Sequence, residues 1–222
     1  MKLVFASNNA HKLEEARAIL PGLKILSLNE LGCHEDIPET QPTLEGNSLQ
    51  KAEYVRDWCM QHSELLPKDL CGCFADDTGL EIDALNGAPG VYTARWSGDG
   101  CNEAMNRQKA LLKLQGKTNR NARFRTIVTL LLFKPSDSIH EDQHGFTFEG
   151  IVRGTIATEE RGNHGFGYDA VFVPELPEEL HPLPEQHGQT FAQLPAEVKN
   201  SISHRARAMQ NLAEFITQNL IF

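Results

Sequence analysis

The sequence predicts an α/β protein, because short apolar segments alternate with segments of helical periodicity. Segments of strand length and apolar or alternating character occur at residues 2–6, 23–28, 70–75, 80–85, 124–133 and 146–156. Segments of helical character occupy residues 13–20, 44–60, 102–114 and 203–220. With 222 residues and 40% hydrophobic content, the chain is long enough to bury a sizeable core as one domain or two small lobes.

Composition excludes several classes of function. The formal net charge of −9 argues against non-specific binding to a nucleic-acid backbone, although a local basic cluster can still bind a small anion. The sequence contains no apolar run long enough to span a bilayer, and the stretch Leu3 to Ala6 is too short for a signal peptide. We therefore expect a cytoplasmic protein without nucleic-acid or membrane partners. Its five cysteines are expected to be reduced thiols, and the Cys71-x-Cys73 pair has no second pair at zinc-site spacing.

The first strand, residues 2–6, leads through a polar turn into a helix. Ser7 or either following asparagine can cap this helix, and the free N–H groups at its start favour an anion. Lys12 would add a point charge for a phosphate. An ordinary capped surface helix remains the alternative. The GxxxxGK[ST] pattern of a P-loop is absent, which disfavours a kinase.

Two adjacent carboxylates, Asp76 and Asp77, follow the apolar segment 70–75. Such a pair is costly to bury unless a partner relieves the repulsion, and Mg²⁺ prefers oxygen ligands of this kind. We interpret Ala75 to Gly79 as an acidic turn between the strands at 70–75 and 80–85. A solvated turn or a helix N-terminus is the alternative.

A second acidic position lies in the loop that precedes the helix at 44–60. Glu39 belongs to this acidic, proline-containing loop of residues 33–46. A loop carboxylate can reach a metal ion, but simple solvation of the side chain is the alternative.

The strand at 124–133 is apolar enough to be central in a sheet. The alternating segment 146–156 is predicted to pair with it as an antiparallel hairpin, with residues 135–144 as a polar connection.

The segment Arg161 to Asp169 is rich in glycine, which lets backbone approach a ligand closely. Phe166 and Tyr168 offer flat faces on which a base could stack, or else fill the core beside a tight turn.

A basic cluster follows near the C-terminus, around the start of the helix at 203–220. His204 and Arg205 fall in its first turn, where positive charge is unfavourable unless an anion compensates it. Together with Lys199, they predict an anion site.

These motifs resemble those of the inosine triphosphate pyrophosphatase family, whose members remove nonstandard purine nucleotides from the nucleotide pool. The similarity covers nearly the whole chain. It rests on four blocks, SNNAHKLEE at 7–15, FADDTGLEIDALNGAPGVYTARW at 74–96, GFGYDAVFVP at 165–174 and EVKNSISHRARAM at 197–209.

The resemblance implies a single domain over residues 1–222 that hydrolyses ITP, dITP and XTP to the monophosphate and pyrophosphate with Mg²⁺. It implies an α/β fold in which an elongated mixed β-sheet with flanking helices forms two lobes around a central substrate cleft. It also implies a homodimer. A nucleotide-binding regulator without turnover, and a related pyrophosphatase for modified pyrimidine nucleotides, are the alternatives.

The resemblance also implies site roles. Asp77 would be the catalytic general base and a metal ligand, with Glu39 as a further metal ligand. The phosphates would be held by Ser7, Asn8, Asn9, Ala10, His11 and Lys12. Other substrate contacts would come from Thr78, Phe166, Gly167, Tyr168, Asp169, Lys199, His204 and Arg205.

Overall fold

The computed structural model of the protein describes residues 1–98, 100, 102–134 and 145–219. Its seven strands within these residues are β1 (Lys2–Phe5), β2 (Lys24–Leu26), β3 (Leu70–Ile82), β4 (Pro89–Gly90), β5 (Asn121–Leu132), β6 (Gly145–Ile156) and β7 (Phe172–Pro174). Its six α-helices there are α1 (Ala10–Ile19), α2 (Leu28–Leu31), α3 (Leu44–Gln61), α4 (Glu103–Lys113), α5 (Ala196–Ile202) and α6 (His204–Asn219). The predicted α/β class is confirmed.

The strands form one mixed sheet in the order β2-β1-β3-β5-β6-β7, with β4 paired to β3. Strand β1 is parallel to both β2 and β3. Strand β4 is antiparallel to β3, and β7 is antiparallel to β6. Strands β5 and β6 are neighbours, as the hairpin prediction requires. The predicted connection at 135–144 lies outside the described residues.

The contacts divide the chain into two compact units. Unit 1 comprises Met1–Asp77, Thr126–Gly150 and Ala206–Phe222, and unit 2 comprises Thr78–Arg125 and Ile151–Arg205. The strands β3, β5 and β6 contribute residues to both units. A single domain over 1–222 stays a prediction.

Unit 1 has two apolar clusters because strand side chains alternate between the two faces of a sheet. One face presents Val4, Cys73 and Ala75 to a cluster that includes Val55 and Trp58 of α3. The opposite face presents Leu3, Phe5 and Phe74 to a cluster that includes Ala16 of α1 and Met209 of α6. Phe5 and Phe74 stack with their ring centroids 4.8 Å apart.

Unit 2 is built around an aromatic core. Phe124 of β5 packs against Phe172 of β7 and Phe191, with ring centroids 4.7 and 6.3 Å away. Tyr168 lies in the same cluster and is only 3% exposed. This core fixes the base of the glycine-rich segment that precedes β7.

The predicted turn at Ala75 to Gly79 is wrong, because β3 runs without interruption from Leu70 to Ile82. The predicted second strand at 80–85 is correspondingly the end of β3 followed by a 3-10 helix, Asp83–Leu85. Asp76 and Asp77 are tolerated in the middle of a strand because the ammonium groups of Lys12 and Lys51 form ion pairs with them. Among the described residues, no helix is long and apolar enough to cross a membrane.

Candidate active site

The segment from Ser7 to Lys12 forms the beginning of α1. Asn9 is the N-cap, and its Oδ1 accepts a hydrogen bond from the Lys12 N–H at 3.1 Å. The Ser7 hydroxyl accepts from the Asn9 N–H at 3.2 Å. Residues Asn8 to His11 are exposed, so this helix start faces solvent. The Lys12 ammonium lies 2.9 Å from Asp76 Oδ1, which brings the predicted phosphate-binding turn next to the acidic pair.

Asp76 and Asp77 are buried, with 1% and 8% of their surfaces exposed. Successive strand residues point to opposite faces, so Asp76 shares the α1 side with Phe74 and Asp77 shares the α3 side with Ala75. Each carboxylate meets a lysine from the helix on its own side. Asp76 pairs with Lys12 of α1, and Asp77 Oδ1 lies 3.2 Å from Lys51 Nζ of α3.

The predicted metal ligands Glu39 and Asp77 lie on either side of Lys51. The Lys51 ammonium donates to Glu39 Oε1 at 2.6 Å and to Asp77 Oδ1 at 3.2 Å. Two carboxylate oxygens from distant parts of the sequence therefore converge on one cationic group. Glu39 remains 42% exposed, whereas Lys51 and Asp77 are buried.

Burial and charge act against each other in this cluster. Burial raises the pKa of Asp77, Lys51 opposes that shift, and Glu39 reinforces it. Burial alone would lower the pKa of Lys51, but the charges of Asp77, Asp76 and Glu39 outweigh it, so the pKa of Lys51 is raised. Asp77 therefore holds a proton more readily than an exposed aspartate, as a general base requires.

Lys51 and Asn47 belong to this site but were not among the sequence-predicted residues. The Asn47 amide donates to Asp77 Oδ2 at 3.2 Å. Both are buried on the apolar face of α3, together with Leu44, Ala52 and Val55. Polar residues at helical spacing within an apolar stripe were the signal that could have revealed them.

The oxygen donors here suit a hard cation only in part. Among the described residues, no group of three or more His, Cys, Asp or Glu side chains is arranged to hold a metal by itself. The convergence of Glu39 and Asp77 on Lys51 nevertheless shows that these two carboxylates can face one positive charge. Proteins commonly bind Mg²⁺ through one or two carboxylates, with substrate phosphates as further ligands.

In unit 2, the structure brings Phe166, Asp169 and Lys199 together. Asp169 Oδ2 accepts hydrogen bonds from the Phe166 N–H at 2.9 Å and from Lys199 Nζ at 2.6 Å. The Lys199 ammonium lies 5.2 Å from the centroid of the Phe166 ring, whose residue is 54% exposed. An exposed aromatic face beside a cation is suited to a flat, polar heterocycle.

Tyr168 and Gly167 have supporting positions in this loop. The Tyr168 ring is buried and its hydroxyl donates to Thr93 O at 3.1 Å, so Phe166 alone of the two aromatics presents an exposed face. Arg107 of α4 donates to the Gly167 carbonyl at 2.8 Å.

The remaining predicted residues are Thr78, His204 and Arg205. Thr78 lies half-buried in β3, directly after Asp77. The His204 ring stacks on Phe124 with centroids 4.9 Å apart, and Arg205 is 6% exposed.

The chain is similar to known proteins over almost its whole length. The sequence model of the Ham1 family matches residues 3–215. A dITP/XTP pyrophosphatase of Flavobacterium psychrophilum is 46% identical over 97% of this chain and 98% of its own. A dITP/XTP pyrophosphatase of Porphyromonas gingivalis is 47% identical over 97% of both chains.

Solved structures agree with the sequence comparison. The Staphylococcus aureus Ham1 protein superposes with a TM-score of 0.77 at 34% identity, covering 98% of this chain and 99% of its own. A HAM1 protein from Coxiella burnetii gives a TM-score of 0.78 at 33% identity, with the same coverage. The resemblance inferred from the four sequence blocks is confirmed, and the chain belongs to the Ham1 family.

Proposed function

We propose that this protein hydrolyses the purine nucleoside triphosphates ITP, dITP and XTP to the nucleoside monophosphate and pyrophosphate. The observation that carries the proposal is the buried Asp77 carboxylate, set between Lys51 and Asn47 with Glu39 nearby. The related dITP/XTP pyrophosphatases, similar over the full chain, support the same reaction.

Asp77 is proposed as the general base. It would accept the proton of a water molecule that attacks the α-phosphorus in line with the departing pyrophosphate. Lys12 and Lys51, on the two faces of β3, would compensate the negative charge that accumulates on the phosphate oxygens. Lys12 and the exposed N–H groups at the start of α1 would hold the leaving pyrophosphate.

The divalent cation is proposed to be Mg²⁺, held by Glu39 and Asp77 together with substrate phosphates. When bound, it would neutralise phosphate charge and make the phosphorus more electrophilic. Lys51 would then share the two carboxylates with the metal and keep their mutual repulsion low.

The base is proposed to stack on Phe166, with Lys199 as the donor that recognises the purine. Inosine and xanthine carry a 6-oxo acceptor, which an ammonium group can satisfy. Adenine carries an amine at this position and would leave the donor unpaired, which is costly in a desolvated site. Asp169 keeps the Lys199 ammonium at the ring, and Thr78, His204 and Arg205 are proposed as further substrate contacts.

Pyrophosphate release from ITP, XTP, dITP, GTP and ATP, with Mg²⁺ and with EDTA, tests this function. We expect release from ITP, XTP and dITP in the presence of Mg²⁺, little release from ATP, and no release from any of the five with EDTA. Equal turnover of ATP would contradict the proposed selectivity. Binding of ITP without release would indicate the regulator instead.

The resemblance further supports a cytoplasmic homodimer as a proposal. Light scattering after size-exclusion chromatography tests the assembly. A mass near twice the 24.8 kDa of one chain is expected, and a monomer would contradict it.

A further inference from the structure

The side chain of Asn47 joins two segments of the candidate site. Its Oδ1 accepts from the Gln41 N–H at 2.9 Å, and its Nδ2 donates to Asp77 Oδ2 at 3.2 Å. The chemistry of the partners dictates this orientation of the amide, because a backbone N–H only donates and a carboxylate only accepts. At 1% exposure, neither bond competes with bulk water.

This arrangement restrains the carboxylate of Asp77. One oxygen faces the Asn47 amide and the other faces the Lys51 ammonium. A carboxylate held at both oxygens has little freedom to rotate, so the lone pairs available for a proton keep a fixed direction. Precise direction matters because misplacement of a reacting group by about 1 Å costs about 100-fold in rate.

The same face of α3 also holds the loop that carries Glu39. Gln50 accepts from the Thr40 N–H and donates to the Thr40 hydroxyl, both at 2.9 Å. One turn further on, the Tyr54 hydroxyl donates to the Glu35 carboxylate. These contacts follow the i, i+3, i+4, i+7 spacing of one helix face.

The loop lies tightly against the start of α3. A Cβ atom placed on Gly46 would be 2.7 Å from Cβ of Gln41 and 3.1 Å from Oγ1 of Thr43. Only a residue without a side chain fits there, so the Gln41 backbone is held near enough for its bond to Asn47.

We propose that Asn47 and Gln50 are positioning residues that hold the Glu39 loop and the Asp77 carboxylate in the geometry of the reaction. The inference rests on the proposed function, because it assigns action to Glu39 and Asp77. It goes beyond that function by placing the control of their geometry in two neutral amides of α3 that do not belong to the predicted ligand set.

The test compares Asn47→Ala and Gln50→Ala with wild-type protein. Hydrogen–deuterium exchange is measured in the free protein over a peptide covering residues 35–43, and kcat and KM are measured with ITP. We expect faster exchange of this peptide in both variants, since each loses an acceptor for a loop N–H. We expect kcat to fall about 10-fold to 100-fold in Asn47→Ala, with KM changed by less than about threefold.

Two further variants separate the contributions. Asn47→Asp can still accept from the Gln41 N–H but cannot donate to Asp77, so it should keep the exchange protection and lose turnover. Glu53→Gln changes a charge on α3 away from this stripe and should alter neither quantity. If Asn47→Ala fails to fold, as judged by circular dichroism, Gln50→Ala provides the test.

Unchanged exchange of the 35–43 peptide in the folded alanine variants would overturn the proposal. So would a loss of kcat in Asn47→Ala that is matched by an equal loss in Glu53→Gln. Absence of pyrophosphate release by the wild-type protein would instead refute the proposed function, and the exchange comparison would still decide whether these amides hold the loop.

Discussion

Two adjacent carboxylates can both be buried in one strand because their side chains point in opposite directions. Asp76 and Asp77 point to opposite faces of β3, so each has its own environment. Lys12 reaches Asp76 from α1, and Lys51 reaches Asp77 from α3. Asp77 shares its lysine with Glu39, and this arrangement supports the proposal that Asp77 is the general base.

Asp77→Asn is expected to abolish turnover while the protein stays folded. The amide preserves the shape of the side chain but cannot accept the proton of the attacking water. A lost general base reduces kcat by about 100-fold to 10,000-fold. Pyrophosphate release from ITP measures the loss. Because Lys51 keeps its ion pair with Glu39 in this variant, thermal unfolding should shift by no more than a few degrees, at about 2–4 °C per kcal/mol.

Asp83→Asn is the matched control for this variant. Asp83 is an exposed carboxylate just beyond the same strand, so its neutralisation should leave kcat unchanged. An active Asp77→Asn enzyme would remove Asp77 from the role of base.

Lys51→Met is expected to destabilise the protein in a pH-dependent way. The buried cation is lost, and Asp77 and Glu39 keep their negative charges without it. Breaking a buried ion pair in this way costs about 3–5 kcal/mol near pH 8. Lys68→Met, at an exposed lysine, is the control and should cost little.

The sign of the pH dependence follows from the pKa of Asp77. Burial already raises this pKa in the folded state, and removal of Lys51 raises it further. A group with a raised pKa contributes stability at pH values below its unfolded pKa, and this contribution is lost as the pH rises through the folded pKa. Urea unfolding should therefore show a smaller deficit for Lys51→Met at pH 5 than at pH 8, and a deficit independent of pH would contradict this account.

At the scale of elements, local signals predicted the helices well. Helix α3 was predicted at 44–60 and is found at Leu44–Gln61, because its apolar stripe and its cap are both local features. The Thr43 hydroxyl caps it by accepting from the Gly46 N–H at 3.0 Å. The start of α6 at His204 was also predicted within one residue.

The acidic segment of β3 was predicted as a turn because its residue types, taken locally, favour a turn. Adjacent aspartates followed by Thr-Gly are typical of turns when the nearby sequence offers no cationic partner for the carboxylates. The lysines that neutralise Asp76 and Asp77 lie 64 and 26 residues away in sequence, and no local pattern reports such pairs. Asp77 and Glu39 were predicted because carboxylates are the usual ligands of Mg²⁺, whereas the polar residues Asn47 and Lys51 within the apolar stripe of α3 were missed.

Gly165→Ala is expected to disrupt the loop that carries Phe166. Gly165 has a φ of +81°, and a Cβ placed on it would lie 2.1 Å from Asp169 Oδ2. In the native loop, Asp169 accepts hydrogen bonds from Lys199 and from the Phe166 N–H. In the variant, Asp169 would have to move away from both donors. Loss of such a charge-assisted bond corresponds to about a tenfold or greater rise in KM for ITP.

Gly188→Ala separates backbone strain from this contact. Gly188 has a φ of +76°, but a Cβ placed on it would meet no atom within 4 Å. This variant should lose about 1–2 kcal/mol of stability and keep the KM of the wild type. Equal values of KM for Gly165→Ala and wild-type protein would show that Asp169 does not organise the loop for substrate.

At the scale of the whole molecule, this acidic chain is proposed to bind its polyanionic substrate through local groups of lysines and a metal ion. The net charge of −9 argued against a nucleic-acid surface, which stays a prediction, and carried no information on where Lys12, Lys51 and Lys199 would lie. The α/β class followed from the alternation of segments. Two lobes were implied by the family resemblance and not by this alternation, because a division into units depends on contacts between distant parts of the chain.

Buried thiols provide a test of whether the chain unfolds as one domain. Cys33, Cys59 and Cys73 are fully buried in one cluster of unit 1, and burial raises the pKa of Cys59 to about 12. Cys71 is half-buried. In a Cys101→Ser background, a thiol reagent should therefore label Cys71 quickly and the three core thiols only when the core opens.

The free energy of that opening tells whether the two units are independent. Strands β3, β5 and β6 each supply residues to both units, so each of these strands is a continuous element shared by unit 1 and unit 2. We therefore expect the labelling of Cys33, Cys59 and Cys73 to give the same free energy as global unfolding in urea, within the usual range of about 5–15 kcal/mol. Lower values from labelling, or two separate transitions in urea, would show that unit 1 opens by itself and would contradict a single cooperative domain over residues 1–222.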